Sequence, residues 1–163
     1  MSDFETIIKK KIVSHEDLVR QINTLKFFGK KIIFTNGCFD IMHAGHTYYL
    51  NKARSLGDIL VVGLNSDDSV KKLNKGSHRP IHTQNKRAEV LASLLCVDFV
   101  AIFEEETPLT LIQKVMPNIL VKGGDYTEST IVGADIVKKN GGSIEIIPLL
   151  EGYSTTGIIN KLK

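Results

Sequence analysis

The 163-residue sequence has no tryptophan, two cysteines and four prolines. It also lacks any apolar run near the roughly 20 residues that a membrane-crossing helix requires. Each shortage removes a class of function. Aromatic residues make up 7% of the chain, too few for the successive base-stacking platforms of single-strand nucleic-acid binders. The formal net charge is +3 with no long basic run, which suits a small anionic ligand and not DNA or RNA. Cys38 and Cys96 lie far apart, form no C-x-x-C pair and read as buried apolar side chains in a reducing compartment. The first eleven residues mix charges with isolated apolar positions, unlike a secretory signal. Internal repeats, low-complexity tracts and flexible linkers are missing too. The expectation is one soluble, cytoplasmic domain with no membrane and no nucleic-acid partner.

What is present is an alternation. Short β-rich apolar segments are expected as strands at residues 31–36 (KIIFTN), 59–65 (ILVVGLN), 98–103, 118–121 and 143–148. Helices are expected between them at 45–56, 83–95, 108–115 and 129–140, with a closing helix at 155–162. Leu50, Ala53 and Leu56 recur at helical spacing, and Gly57 stands where a helix C-terminus needs it. Residues 66–79 form a polar, lysine-rich stretch. Residues 1–28 read as a helical lead-in packed on the domain at 29–163, with Ser14 capping a helix that carries Leu18, Ile22 and Leu25. This order implies the α/β class: a single doubly wound, mainly five-stranded parallel sheet, Rossmann-like, with helices on both faces. Ligands of such sheets sit beyond the carboxyl ends of the strands, at the topological switch point.

Residues 35–46, TNGCFDIMHAGH, leave the first strand and open a helix, where unpaired backbone N–H groups favour an anion. Asn36 and Gly37 supply a tight turn, and Gly45 between His43 and His46 lets a phosphate approach the backbone. The imidazoles could then bind a triphosphate and stabilise charge on departing pyrophosphate. Two satisfied structural histidines, or a metal site with Asp40, are the competing readings; no nearby third histidine completes a metal set. Neither G-x-G-x-x-G nor a Walker loop occurs.

Later stretches fall after other strands. Lys71, Lys72 and Lys75 lie beyond the second strand, either as a solvated face or within reach of a triphosphate. Arg79 and Arg87 are candidates for clamping a phosphate, since guanidinium matches its geometry, with surface salt bridges as the alternative. Lys122, Gly123, Gly124 and Asp125 follow the fourth strand. Ser154, Thr155 and Thr156 open the last helix as caps or as phosphate donors.

H-x-G-H at residues 43–46, preceded by GCFD at 37–40, resembles the cytidylyltransferase-like nucleotidyltransferase superfamily. Residues 77–80 with Arg87, VKGGDY at 121–126 and STTGII at 154–159 narrow the likeness to the bacterial D-glycero-β-D-manno-heptose 1-phosphate adenylyltransferases, over about residues 12–163. The resemblance implies that ATP and a sugar 1-phosphate react by in-line displacement to give ADP-heptose and pyrophosphate, for lipopolysaccharide or another surface glycan. It implies catalytic roles for His43, His46 and Lys72. It assigns the nucleotide to Asn36, Gly37, Phe39, Gly45, Lys71, Lys122, Gly123, Asp125, Ser154, Thr155 and Thr156. Asp40, Arg79 and Arg87 are the expected substrate-side residues. Mg²⁺ is expected to arrive with ATP, with no metal site in the protein itself. A homodimer is expected only from the general frequency of such assemblies. Rival readings are a CTP-dependent transferase acting on an alcohol phosphate such as glycerol 3-phosphate, a non-catalytic nucleotide-binding module, and a metal-dependent hydrolase.

Overall fold

A computed structural model describes residues 3–73, 79–124, 126–150 and 152–153. Two helices open the chain, α1 (Phe4–Lys11) and α2 (His15–Phe27). Ser14 caps α2 by accepting a hydrogen bond from the Asp17 N–H at 3.1 Å, and Leu18 and Ile22 are its buried face. Strands and helices then alternate: β1 (Ile32–Gly37), α3 (Ala44–Arg54), β2 (Ile59–Asn65), α4 (Asp67–Lys72), α5 (Gln84–Ala92), β3 (Phe99–Phe103), α6 (Leu109–Val115), β4 (Ile119–Gly123), α7 (Ala134–Lys139) and β5 (Ser143–Ile147). The strands form one sheet in the order β3-β2-β1-β4-β5, parallel at every pairing. The order reverses between β1 and β4, which is the switch point.

Side chains of successive residues point to opposite sides, and β1 to β4 are largely buried on both faces, while the edge strand β5 is mostly exposed. Ile33, Leu60, Val62 and Val121 pack with Leu50 and Ala53 of α3 and Ala88 and Leu91 of α5. Their neighbours Ile32, Phe34, Val61 and Leu120 pack with α2, α6 and α7 through Leu18, Ile22, Ile112 and Val137. These apolar layers fix the strand ends and therefore the loops that leave them.

Two segments differ from the sequence expectation. Part of the polar stretch at 66–79 is the helix α4, started by Ser66, whose hydroxyl accepts from the Ser69 N–H at 3.1 Å. The expected helix over 129–140 is a single 3-10 turn (Glu128–Thr130) followed by α7. Gly133 separates them with φ 82, a left-handed conformation that ends one turn and starts the next. The expected helix at 155–162 lies outside the described residues.

Candidate nucleotide-binding site

At the β1/β4 switch point the chain leaves β1 through Cys38, Phe39 and Asp40 and enters α3 at Ala44. Phe39 takes φ 45, unusual for a bulky residue, and its ring packs back against Gly37. That turn carries the chain over the strand ends. His43 occupies the N-cap of α3 in an extended conformation, and the His46 N–H bonds to its carbonyl at 2.9 Å. The two imidazoles are thereby brought together, centroids 4.0 Å apart with their planes tilted at 35°. Gly45 makes room for the pair: a methyl group there would lie 3.0 Å from the His43 ring and 3.1 Å from Tyr153 Cβ.

The Nδ1 atoms of both His43 and His46 are buried with no hydrogen-bond partner among the described residues. Burial lowers the pKa of His43. His46 is lowered further, to about 4, by burial first and then by the neighbouring His43 and Arg79. Both rings are therefore neutral at pH 7, each holding one N–H to donate. Unsatisfied polar atoms inside a protein are uncommon and costly, so two side by side mark a place prepared for a ligand.

The histidines line a cavity of about 310 Å³ together with Asn36, Gly37, Phe39, Lys122 and Gly123. Lys122, at the end of β4, donates from Nζ to Asn36 Oδ1 at 2.5 Å across the switch point. Its ammonium also lies 5.7 Å from the centre of the Tyr126 ring. Imidazoles and a cation thus face one cavity with α3 starting at its wall, an arrangement suited to a polyanion.

Of the expected residues, the structure gathers Asn36, Gly37, Phe39, His43, Gly45, His46, Lys122 and Gly123 around this cavity. Lys71 and Lys72 do not line it. Lys71 sits on the exposed turn of α4, paired with Asp68 at 2.9 Å, and Lys72 borders a different depression with His15, Glu104 and Glu105. Asp40 is buried under the loop: Oδ1 accepts from the Ile81 and His82 N–H groups and Oδ2 from Arg79 Nε, at 2.8, 3.0 and 3.1 Å. Burial would raise its pKa, but these donors outweigh that and hold it below the usual carboxylate value. Committed to three protein donors, Asp40 fastens the 79–82 segment to the H-x-G-H loop and is poorly disposed to join a metal set.

Arg87 is 2% exposed, and its nitrogens donate to the His82 carbonyl, the Cys38 carbonyl and Asp67 Oδ1 at 3.0, 2.6 and 2.8 Å. In this conformation it ties α5 to α4 and to the loop. Asp125, Ser154, Thr155, Thr156, Lys75 and His78 lie outside the described residues.

Several cavity residues were not singled out from the sequence. Tyr49 follows His46 by one helical turn and lines the cavity floor, its hydroxyl 2.6 Å from Thr35 Oγ1. Its position at i+3 on the same helix was the available signal. Tyr126 lies within VKGGDY, and Tyr153 directly precedes the hydroxyl-rich run. Tyr153 stacks over His43, centroids 6.3 Å apart and planes at 23°.

A profile described as cytidylyltransferase-like matches residues 34–161. The chain belongs to that family. Among curated relatives, a bifunctional protein HldE from Campylobacter jejuni subsp. doylei is 55% identical over 161 residues, 99% of this chain and 32% of the relative. Another of the same name, from Geotalea uraniireducens, is 51% identical over 153 residues, 94% of this chain and 31% of the relative. The chain thus spans about a third of the length of these relatives. A crystal structure of the lipopolysaccharide core biosynthesis protein from Thermoplasma volcanium superimposes with a TM-score of 0.61 at 28% identity, covering 77% of this chain and all of that one. A pantoate-beta-alanine ligase from Francisella tularensis, complexed with beta-gamma ATP and beta-alanine, reaches the same TM-score over 93% of this chain and 77% of its own. At 19% identity that likeness speaks for the fold alone. Among the described residues no helix is long and apolar enough to cross a membrane, and no group of three or more His, Cys, Asp or Glu is placed to hold a metal ion.

Proposed function

We propose that this chain is an adenylyltransferase that converts D-glycero-β-D-manno-heptose 1-phosphate and ATP to ADP-heptose and pyrophosphate. The observation that carries the reading is the adjacent, neutral pair His43 and His46, whose Nδ1 atoms are without a partner among the described residues, at the switch-point cavity. The heptose follows from the likeness to proteins named HldE and from NGCFD, VKGGDY and the hydroxyl-rich C-terminal motif, and it places the product among precursors of lipopolysaccharide or another surface glycan.

In the reaction, an oxygen of the sugar phosphate attacks the α-phosphorus of ATP. The bond to the bridging oxygen breaks, and pyrophosphate leaves with the electron pair. The attacking oxygen is already anionic, so no general base is needed. His43 and His46 donate to the α-phosphate and the bridging oxygen, where charge develops. Lys122, steered by Asn36, supplies a fixed positive charge beside them. Mg²⁺ would arrive with the triphosphate and not on Asp40, which is already committed to Arg79 and the 81–82 backbone. Bound there, it would offset phosphate charge. In this arrangement Lys71 and Lys72 do not line the cavity. A homodimer and a cytoplasmic location belong to the same reading; the free thiols of Cys38 and Cys96 support a reducing compartment.

The test is pyrophosphate release with the heptose 1-phosphate and ATP, against CTP and GTP and against glycerol 3-phosphate as acceptor. Turnover with ATP and the heptose alone supports the reading. Preferred use of CTP with glycerol 3-phosphate overturns it, as does silence across the panel.

A further inference from the structure

The layer formed by α2, α6 and α7 ends at the pole opposite the cavity, where the strands begin. The last turns of these helices carry Lys26, Lys114, Lys138 and Lys139, and Lys30 and Lys31 follow α2 directly. Lys26, Lys30 and Lys31 border a depression of about 610 Å³ at that pole, with Asn118 and Gly141 across from them. Helix dipoles account for some of this charge. Lys26 donates to the Val115 and Met116 carbonyls at the end of α6, and Lys138 pairs with Glu128.

The dipoles do not account for the neighbouring aromatics. Phe27 and Phe28 lie in the chain between Lys26 and Gly29, two residues that line this depression, and are 85% and 71% exposed. Their rings meet edge to face, with centroids 5.5 Å apart and planes at 81°. The core contact of α2 is already made by Leu18 and Ile22, so packing does not require this pair. Two adjacent phenylalanines held in water, with Lys26 before them and Lys30 and Lys31 after them, form an apolar tip flanked by basic residues.

We propose that this pole docks on an anionic lipid bilayer, with Phe27 and Phe28 entering the headgroup region and Lys30, Lys31, Lys114 and Lys139 facing lipid phosphates. Interfacial binding draws on buried apolar area together with attraction to anionic lipid, and it needs no membrane-crossing segment. A second copy of the chain fits the surface less well, because face-to-face pairing would set lysines against lysines. The protruding rings also suit a fluid interface, which yields to them, better than a rigid partner that must offer a matching pocket. The inference revises the expectation of no membrane partner, which rested on the missing span. It leaves the nucleotide cavity facing away from the lipid.

The test is co-sedimentation with vesicles of phosphatidylcholine alone or mixed with phosphatidylglycerol at roughly two to one. Binding to the mixed vesicles should exceed binding to neutral ones by about tenfold or more and fall as salt is raised. The pairs Phe27→Ser with Phe28→Ser and Lys30→Glu with Lys31→Glu should each reduce it by about tenfold while leaving melting temperature and pyrophosphate release unchanged. Equal partition to neutral and anionic vesicles overturns the proposal, as does undiminished binding by both variants. Concentration-dependent dimerisation lost in the phenylalanine variant, without vesicle binding, reassigns the surface to a second copy. Retention on a polyglutamate matrix without vesicle binding reassigns it to an acidic protein.

Discussion

The role proposed for His46 rests on its environment more than on its position in a motif. Burial, His43 and Arg79 hold its pKa at about 4 against an ordinary value of 6.5. Its ring resonances should stay unchanged from pH 8 to about 6, and a bound ATP analogue should move the midpoint upward because an adjacent anion favours the charged ring. The same depression has a stability consequence. Between pH 6.5 and 4 the unfolded chain takes up a proton at this residue and the folded chain does not, so the His46 contribution is complete above pH 6.5 and is lost as pH falls toward 4. His46→Asn should therefore flatten the fall in melting temperature across that window relative to wild type. His46→Ala should retain the far-ultraviolet circular dichroism of the fold and lower turnover by about two to three orders of magnitude. Turnover near wild type would remove the ring from the mechanism.

Between elements, the loop after β1 is held by groups buried beneath it. Arg87 bonds to α4, to residue 82 and to the Cys38 carbonyl, so Arg87→Met should cost about 3 kcal/mol in urea unfolding by leaving Asp67 and two carbonyls without their donor. It should also loosen the H-x-G-H loop. A stability loss no larger than that of an exposed arginine would contradict this role. Ser14→Ala, by contrast, removes a single cap and should cost about 1 kcal/mol with turnover unchanged. The strands and the Ser14 cap were legible in the sequence because alternation, glycine and hydroxyl signals are local. H-x-G-H was legible for the same reason. The buried duties of Asp40 and Arg87 were not, because their partners lie up to 49 residues away and only the folded sheet brings them together. The short helix α4 was hidden by its polar composition, since Val70 is the one apolar residue among its six and leaves no apolar period to read.

For the whole molecule, the parallel order places everything reactive at one end of the sheet and leaves the other end free for the lysines and the Phe27–Phe28 pair. The side facing the β1/β4 switch point holds two neutral imidazoles, a lysine steered by Asn36 and the first turn of α3. In the proposed reaction this assembly receives a nucleoside polyphosphate, with its α-phosphate at His43 and His46. The most direct measurement is a crystal structure with an ATP analogue whose α,β-bridge resists cleavage. The α-phosphate should lie within hydrogen-bonding distance of both rings, with the remaining phosphates directed past Lys122. A triphosphate bound elsewhere, with the two Nδ1 atoms as isolated as before, would contradict that placement.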